Sequence, residues 1–507
     1  MVADHRPART PPLAGTGPPG GTAPWPALAV VAAGLFLAVL STTVVSVSLP
    51  TIGRDLHASA TDLEWTVDAY VLVYASLLVP GGVAGDRHGR KGIFILGVAV
   101  FGGGSLAAGL APATGLLLAA RVVQGAGPAL LIPGSLAIIR ATFRDERQRS
   151  IAIGLWSTSS GIAMAVGPAL GGAIVGALGW RWVFLLNAPL AAALVALAAR
   201  FVPRLPRAAA RGRFDWPGAA MSVAGVALLA FAVIEGQDRG WTSALVLAGF
   251  AAGAGALTAF VLAERRRADP LVDVSLFRRP AFAAASIAAL IVFFAFVGAI
   301  VYFSAYFQQV QGSSPVAAGL AVGVIGIAYA VAATWSGRLV GRFGERWPLL
   351  TGLIISGLAV LALLRLGPAT GMGAIWWNFA LLGAGIGLCG TPMSTLALSA
   401  VDVNRAGMAA AVLNAARQIG QAFGVAVLGA LVYGHLPGRA DLPLDGAQRL
   451  LFVAGLHAAL LVSGVALIAA ALVISPLLIR PRRAVRRRGW PSRAVAGGPG
   501  RPRRHRR

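Results

Sequence analysis

A chain of 507 residues in which 57% are hydrophobic and only 12% charged is far from the balance of a water-soluble globule, so most of it must meet lipid. The net charge of +25 falls in short gaps between apolar runs and in the tail after Arg480, a pattern of membrane orientation that argues against a nucleic-acid groove. The single cysteine, Cys389, sits in an apolar run and rules out both an intrachain disulfide framework and a cysteine-based metal site.

Residues 1–26 are rich in Pro, Gly and Thr, lack periodicity and lack a secretory signal, and read as a disordered cytoplasmic arm. A hydrocarbon core of about 30 Å takes roughly 20 apolar residues per helix. Windows of that kind begin near Ala27, Trp65, Gly92, Gly115, Ile151 and Val183, which makes a six-helix half over residues 27–203. Two more, 216–235 and 244–263, lie in an inserted segment, 204–280. Six further windows, from near Ala281, Ala317, Leu349, Gly373, Ala406 and Leu451, form a second half over 281–478, and a basic disordered cytoplasmic tail, 479–507, can touch anionic lipid. The 65 glycines scattered through these runs suit closely packed helices in lipid better than a barrel. The expected fold class is therefore all-α integral membrane, with fourteen transmembrane helices as two six-helix halves plus two inserted helices.

The basic residues alternate from gap to gap. Arg87, Arg90 and Lys91, then Arg140 to Arg149, Arg204 to Arg213, Arg265 to Arg279, and Arg338 to Arg346 fall in every second gap. The intervening gaps hold few, such as Arg54, Arg181, Arg239 and Arg439. Positive residues face the cytoplasm, so an even number of spans places both termini there, in a cell membrane.

Several motifs carry chemistry. Residues 82–91 contain Gly82, Asp86, Arg87, Gly89 and Arg90, where glycines permit a tight turn and Asp86 can face a helix N-terminus and the loop arginines as a charge latch. Residues 337–346 repeat Gly, Arg, Gly and a basic residue at the same offsets, with Gly341 in the place of Asp86, the mark of duplicated halves. Arg121 lies inside the fourth span with Gln124 one turn on, on the same face, although an arginine near a span end can also snorkel to the surface. The fifth span holds Gly161, Gly167, Pro168, Gly171 and Gly172, in which proline removes a backbone donor and glycines allow close packing, the makings of a hinge.

These motifs, with the run 179–189, Phe307-Gln308-Gln309 and Arg417-Gln418-Ile419-Gly420, resemble the major facilitator superfamily, and within it the fourteen-span drug:proton antiporter group. The resemblance covers about residues 27–478. It implies a multidrug efflux transporter that exports small amphiphilic molecules by alternating access, coupled to protons. It also implies that residues 82–91 form a cytoplasmic gate, that the fifth-span glycines are a hinge, and that Arg121, Gln124 and Arg417 serve coupling or cargo. No cofactor, metal or nucleic-acid partner is expected, and the chain shows no nucleophile–base pair or phosphate loop that would suggest an enzyme.

One departure stands out: Ser41 occupies the place where the group usually has a first-span aspartate, and a serine does not titrate in a useful range. Asp68 is the one acid clearly inside an expected span and is the candidate proton site, while Glu235 and Asp238 read as loop charges. Asp68 lies about 5 to 8 Å from the outer end at about 1.5 Å per residue, where water can also solvate it. An uncoupled facilitator of the same fold stays open as an alternative. Arg121 and Arg417 make the cavity net positive, which favours neutral, zwitterionic or anionic cargo. Ser41, Tyr74, Phe303, Tyr306, Gln308 and Asn414 are the candidate cavity residues.

Overall fold

The computed structural model describes residues 24–58, 60–205, 215–267, 270, 272–434, 436 and 444–478. Among the described residues every regular element is helical. The first half comprises α1 (Pro24–Leu56), α2 (Ala60–His88), α3 (Arg90–Gly109), α4 (Thr114–Thr142), α5 (Glu146–Leu178), α6 (Arg181–Leu185) and α7 (Asn187–Phe201). The insertion is α8 (Trp216–Arg239) and α9 (Ala244–Arg266). The second half comprises α10 (Pro280–Ala305), α11 (Pro315–Phe343), α12 (Arg346–Leu361), α13 (Met372–Ser399), α14 (Ala406–Tyr433) and α15 (Gly446–Leu477). Among the described residues, fourteen stretches are long and apolar enough to cross a membrane, one for each window expected from sequence. α6 and α7 together make the sixth span, interrupted where Pro189 near the start of α7 has no N–H to donate back across the junction.

Lipid cannot hydrogen-bond a backbone, so helices form wherever the chain is apolar, and the sequence marks their ends. Asp145, Asp215 and Ser314 cap α5, α8 and α11 by accepting from Gln148, Gly218 and Ala317 N–H groups at 2.8, 2.8 and 3.2 Å. Asp445 and Gln448 form a reciprocal capping box at the start of α15. Gly89 and Gly344 have φ of 108° and 77°, left-handed values that favour glycine, and occupy equivalent places in the repeated segment.

Three sequence expectations change. Pro24 to Pro26, assigned to the N-terminal arm, are the first turn of α1; the rest of that arm, much of the 204–214 linker and the tail from 479 lie outside the described residues. Asp86 and Arg87 are not loop residues but the last turn of α2. Glu235 and Asp238 lie within α8, and Glu235 is buried and paired with Arg239 one turn on, because α8 packs on α2 and α14 rather than standing apart.

The arginine-rich turns gather at one end of the bundle. Lys91 reaches the Ala199 carbonyl at 2.6 Å, Arg140 the Val401 carbonyl at 2.6 Å, and Arg279 the Ala400 carbonyl. At the opposite end, Trp180 is buried and is more than an interfacial anchor: its Nε1 donates to Asp55 at 3.0 Å, and Arg181 pairs with the same carboxylate. The Trp180 bond and then the Arg181 bond hold the Asp55 carboxyl below the usual carboxylate range.

A carboxylate with a lowered folded-state pKa stabilises above its unfolded value and loses that contribution as pH falls through the folded one. The Asp55→Asn variant should therefore melt below wild type above about pH 5, with the gap closing below about pH 4. Thermal unfolding in detergent across that range checks it, and a gap independent of pH would show that no ionised pair is at work.

Candidate functional site

The two halves meet along two seams of matching design. α2 meets α14, and α5 meets α11. Gly82 is required by the first: a Cβ there would strike the Gly407 carbonyl and lie 2.6 Å from the Ala411 Cβ. Gly337, its counterpart in the repeat, is required by the second, where a Cβ would sit 2.8 Å from the Ile151 Cα. Thr158 and Thr334 hydroxyls, 2.8 Å apart, bridge the α5–α11 seam further along.

Asp86 locks the first seam. It is buried at the end of α2, bonded to the Arg90 Nε at 3.0 Å, and accepts the Met408 N–H at 3.0 Å. Met408 is in the first turn of α14, so the carboxylate faces the positive end of a helix dipole, the arrangement inferred from sequence. Arg90 also donates to the Val403 carbonyl, and Arg140 grips Val401, so α2, α3 and α4 hold the α13–α14 turn. Arg87 is half-buried on the same last turn of α2, and Gly89 makes the left-handed turn into α3.

α5 runs unbroken from Glu146 to Leu178 through Pro168. Gly161 abuts Tyr329 and Ala330 of α11, whereas Gly167 and Gly171 abut Thr43 and Val44 of α1, so the helix changes partner just where Pro168 lies. Gly172 meets nothing within 4 Å.

Inside the first half, Arg121 is fully buried and does not snorkel. Its Nε donates to the Thr66 carbonyl at 2.7 Å and its Nη1 to Gln124 Oε1 at 2.5 Å. Gln124 in turn donates to Ser41 at 3.2 Å and Ser105 at 2.6 Å, and the guanidinium lies 4.4 Å over the Tyr70 ring. An arginine at the centre of a span costs about 2.5–3.5 kcal/mol to insert, and Arg121, in the second turn of α4, lies nearer the end. Two hydrogen bonds from a charged donor at about 1.5–3 kcal/mol each, with a desolvated cation–π contact of about 2, offset that cost, while the Arg121 Nη2 is buried with no hydrogen-bond partner. Sequence reasoning found Ser41, Arg121 and Gln124 but missed Thr66, Tyr70 and Ser105; the backbone carbonyl of Thr66 leaves no signal in residue type.

Asp68, half-buried on α2, lies two residues beyond Thr66. In the second half, Arg417 donates to Asn414 at 3.3 Å and Ser394 at 3.0 Å and lies 5.4 Å over the Phe293 ring. Tyr74, from the other half, is within electrostatic reach of it. The remaining cavity candidates lie in the second half. Phe303 and Tyr306 are buried in the core of the second half, where Phe303 packs on Phe379 at 4.7 Å and Tyr306 ties α10 to the α12–α13 turn through the Gly367 and Thr370 carbonyls at 2.7 and 3.0 Å. Gln308 is exposed in a widened π-type turn and donates only to Ser304 among the described residues, at 3.0 Å. Periodicity alone does not distinguish a wall facing a cavity from one facing a neighbouring helix.

Comparison with known proteins agrees with this architecture. Residues 31–425 match the Major Facilitator Superfamily. The chain is 35% identical over 414 residues to the multidrug resistance protein Stp of Mycobacterium tuberculosis, covering 82% of this chain and 77% of that one. It is 35% identical over 406 residues to the methylenomycin A resistance protein of Streptomyces coelicolor (80% and 85% covered), and 33% identical over 414 residues to the tetracenomycin C resistance and export protein of Streptomyces glaucescens (81% and 76%). Among solved structures, the human organic anion transporter MFSD10 superposes with a TM-score of 0.66 at 16% identity, covering 89% of this chain and 99% of that one. The proton:xylose symporter XylE does so with a TM-score of 0.60 at 15% identity, covering 89% and 95%. With fourteen spans, paired halves and a family match over most of its length, this chain is a multi-pass membrane transporter, not an enzyme, and belongs to the Major Facilitator Superfamily.

Proposed function

We propose that the protein exports small amphiphilic molecules, such as drugs, antibiotics or natural products, by alternating access between the halves 27–203 and 281–478, in antiport with protons. The observation that carries this reading is the locked seam at the basic end, where Asp86 binds Arg90 and the Met408 N–H, and Arg90 and Arg140 hold the α13–α14 turn. The excess of Arg there supports reading that end, and with it both termini, as cytoplasmic. The conformation is then the one closed to the cytoplasm, and Asp86, Arg87, Arg90, Gly82 and Gly89 form its gate. Opening breaks several charge-assisted hydrogen bonds of about 1.5–3 kcal/mol each, so cargo and ion must supply that difference by binding the two states unequally. The handover of α5 from α11 to α1 around Gly161, Gly167, Pro168, Gly171 and Gly172 supplies the hinge. Relatives named for resistance and export support the outward direction.

The proton carrier in this reading is Asp68, on α2 beside the residue whose carbonyl holds Arg121. A second reading, an uncoupled facilitator, is favoured by one observation: Ser41 fills the first-span position and accepts a hydrogen bond from Gln124, with no titratable group of its own. Membrane lipid, with anionic lipid at the basic tail, completes the partners.

Two experiments test these roles. In everted vesicles given cationic, neutral and anionic amphiphiles, substrate-triggered proton efflux should appear in wild type and vanish in Asp68→Asn; cargo flux without any proton signal would establish the facilitator instead. The Asp86→Asn variant keeps an oxygen for the Met408 N–H but loses the charge that faces Arg90 and the α14 dipole. Its transport should fall about tenfold or more, the equivalent of about 1.4 kcal/mol, with unchanged amounts in the membrane fraction. Transport at the wild-type rate would remove the latch from the mechanism.

A further inference from the structure

Arg417 differs from Arg121 in where it sits. It projects from α14 roughly 13 Å along the axis from Met408, at about 1.5 Å per residue. It lies against Ser394 and Phe293 of its own half, with Tyr74 of the other half within electrostatic reach. It is 9% exposed. Its two terminal nitrogens are engaged by Asn414 and Ser394, neutral acceptors that do not discharge it, and its Nε is buried with no hydrogen-bond partner. Among the described residues, the titratable groups that act on it are Tyr74 and Tyr329, neither of them a carboxylate. The hydroxyls of Thr391 and Thr395, on the α13 turns that carry Ser394, are also buried without partners. A buried guanidinium with no carboxylate partner among the described residues and with its Nε unused is an incomplete anion site.

The aromatic surroundings narrow the anion. Phe293 covers the guanidinium at 5.4 Å, Tyr329 stacks with Phe296 at 5.7 Å, and Tyr74 faces Tyr70 at 6.4 Å, which in turn lies under Arg121. Resting on the transporter reading above, we infer that Arg417 is the cargo's charge-recognition residue, and that the cargo class is an aromatic or lipophilic monoanion whose carboxylate or equivalent oxyanion binds the Nε edge. Cargo then supplies the counter-ion that the protein withholds. Binding is favoured because it discharges a cation already desolvated, and a carboxylate matches the planar guanidinium in a way an ammonium or a neutral amide does not. The inside-negative potential draws a monoanion outward, so export of such a cargo does not depend on the first-span acid that Ser41 replaces.

The test uses three probes that share the naphthyl ring, 1-naphthoate, its near-isosteric neutral amide 1-naphthamide, and the cation 1-naphthylmethylammonium, with the purified full-length protein in nanodiscs for binding and in proteoliposomes for counterflow. Wild type should bind 1-naphthoate about tenfold or more tighter than either analogue. Arg417→Gln should abolish that preference while leaving 1-naphthamide binding within about twofold, which also reports that the variant is folded. Arg417→Lys keeps the charge and should retain part of the preference. Equal affinity for all three probes, preference for the cation, no measurable binding of 1-naphthoate, or an unchanged preference in Arg417→Gln each overturns the assignment. The transporter reading fails separately: selective 1-naphthoate binding without counterflow of any probe would keep the site and remove the export function.

Discussion

A bilayer core offers no water to a polar group, and the structure follows from that constraint. Each span must satisfy its own backbone, so the chain is helical almost wherever it is apolar, and caps such as Asp145 and Asp445 mark where the helices end. Without a hydrophobic drive between helices, association depends on close backbone approach and on a few strong polar contacts. The glycines serve the first need. Gly82 against Gly407 and Gly337 against Ile151 remove side chains where two halves of one molecule have to slide together. Asp86, Arg90 and Arg140 serve the second, and they do so at one end of the bundle, where the contact can be broken by movement without exposing polar groups to lipid.

The two seams are related by the duplication written into residues 82–91 and 337–346, but they are not equivalent. Both copies keep the seam glycine and the left-handed turn glycine. The second copy has Gly341 where the first has Asp86, a residue without a side chain to bind a helix end, and a Cβ added there would lie 2.9 Å from the Arg147 side chain. The α2–α14 seam therefore carries a charged lock, whereas the α5–α11 seam relies on packing and the neutral Thr158–Thr334 contact.

The fold was legible in the sequence because hydrophobic length and arginine alternation act locally, and fourteen windows became fourteen spans. The contacts of Asp86 with Arg90 and with the first turn of a helix were legible too, since an acid next to glycines and arginines has few partners to choose from. What stayed hidden depends on which face of a helix meets which neighbour. Phe303 and Tyr306 have the composition of a cavity wall but pack inward on α13 and its preceding turn, and Glu235 looks like a loop charge until α8 is seen to lie on α2 and α14. The Arg121 network was half visible: Gln124 follows at helical spacing, whereas Ser41, Ser105 and the Thr66 carbonyl come from three other helices.

The latch and the second-half arginine share a single rigid element. Met408, which Asp86 binds, and Arg417 lie on the same uninterrupted helix α14. A helix with all its backbone bonds made resists axial stretching, so displacement of its first turn on release of Asp86 is carried along the axis to Arg417. The reverse also holds. A ligand that drew Arg417 toward Tyr74 would move the Met408 N–H relative to Asp86, and by reciprocity the state of the latch would alter affinity at Arg417. Gly420 and Gly424, which let α14 approach the α10 backbone at Leu290 and Phe294, fix the far part of the same helix to its own half. The helix is thus anchored beyond the arginine and held by another half before it. That is the mechanical requirement for a change at Arg417 to be felt at the Asp86 contact.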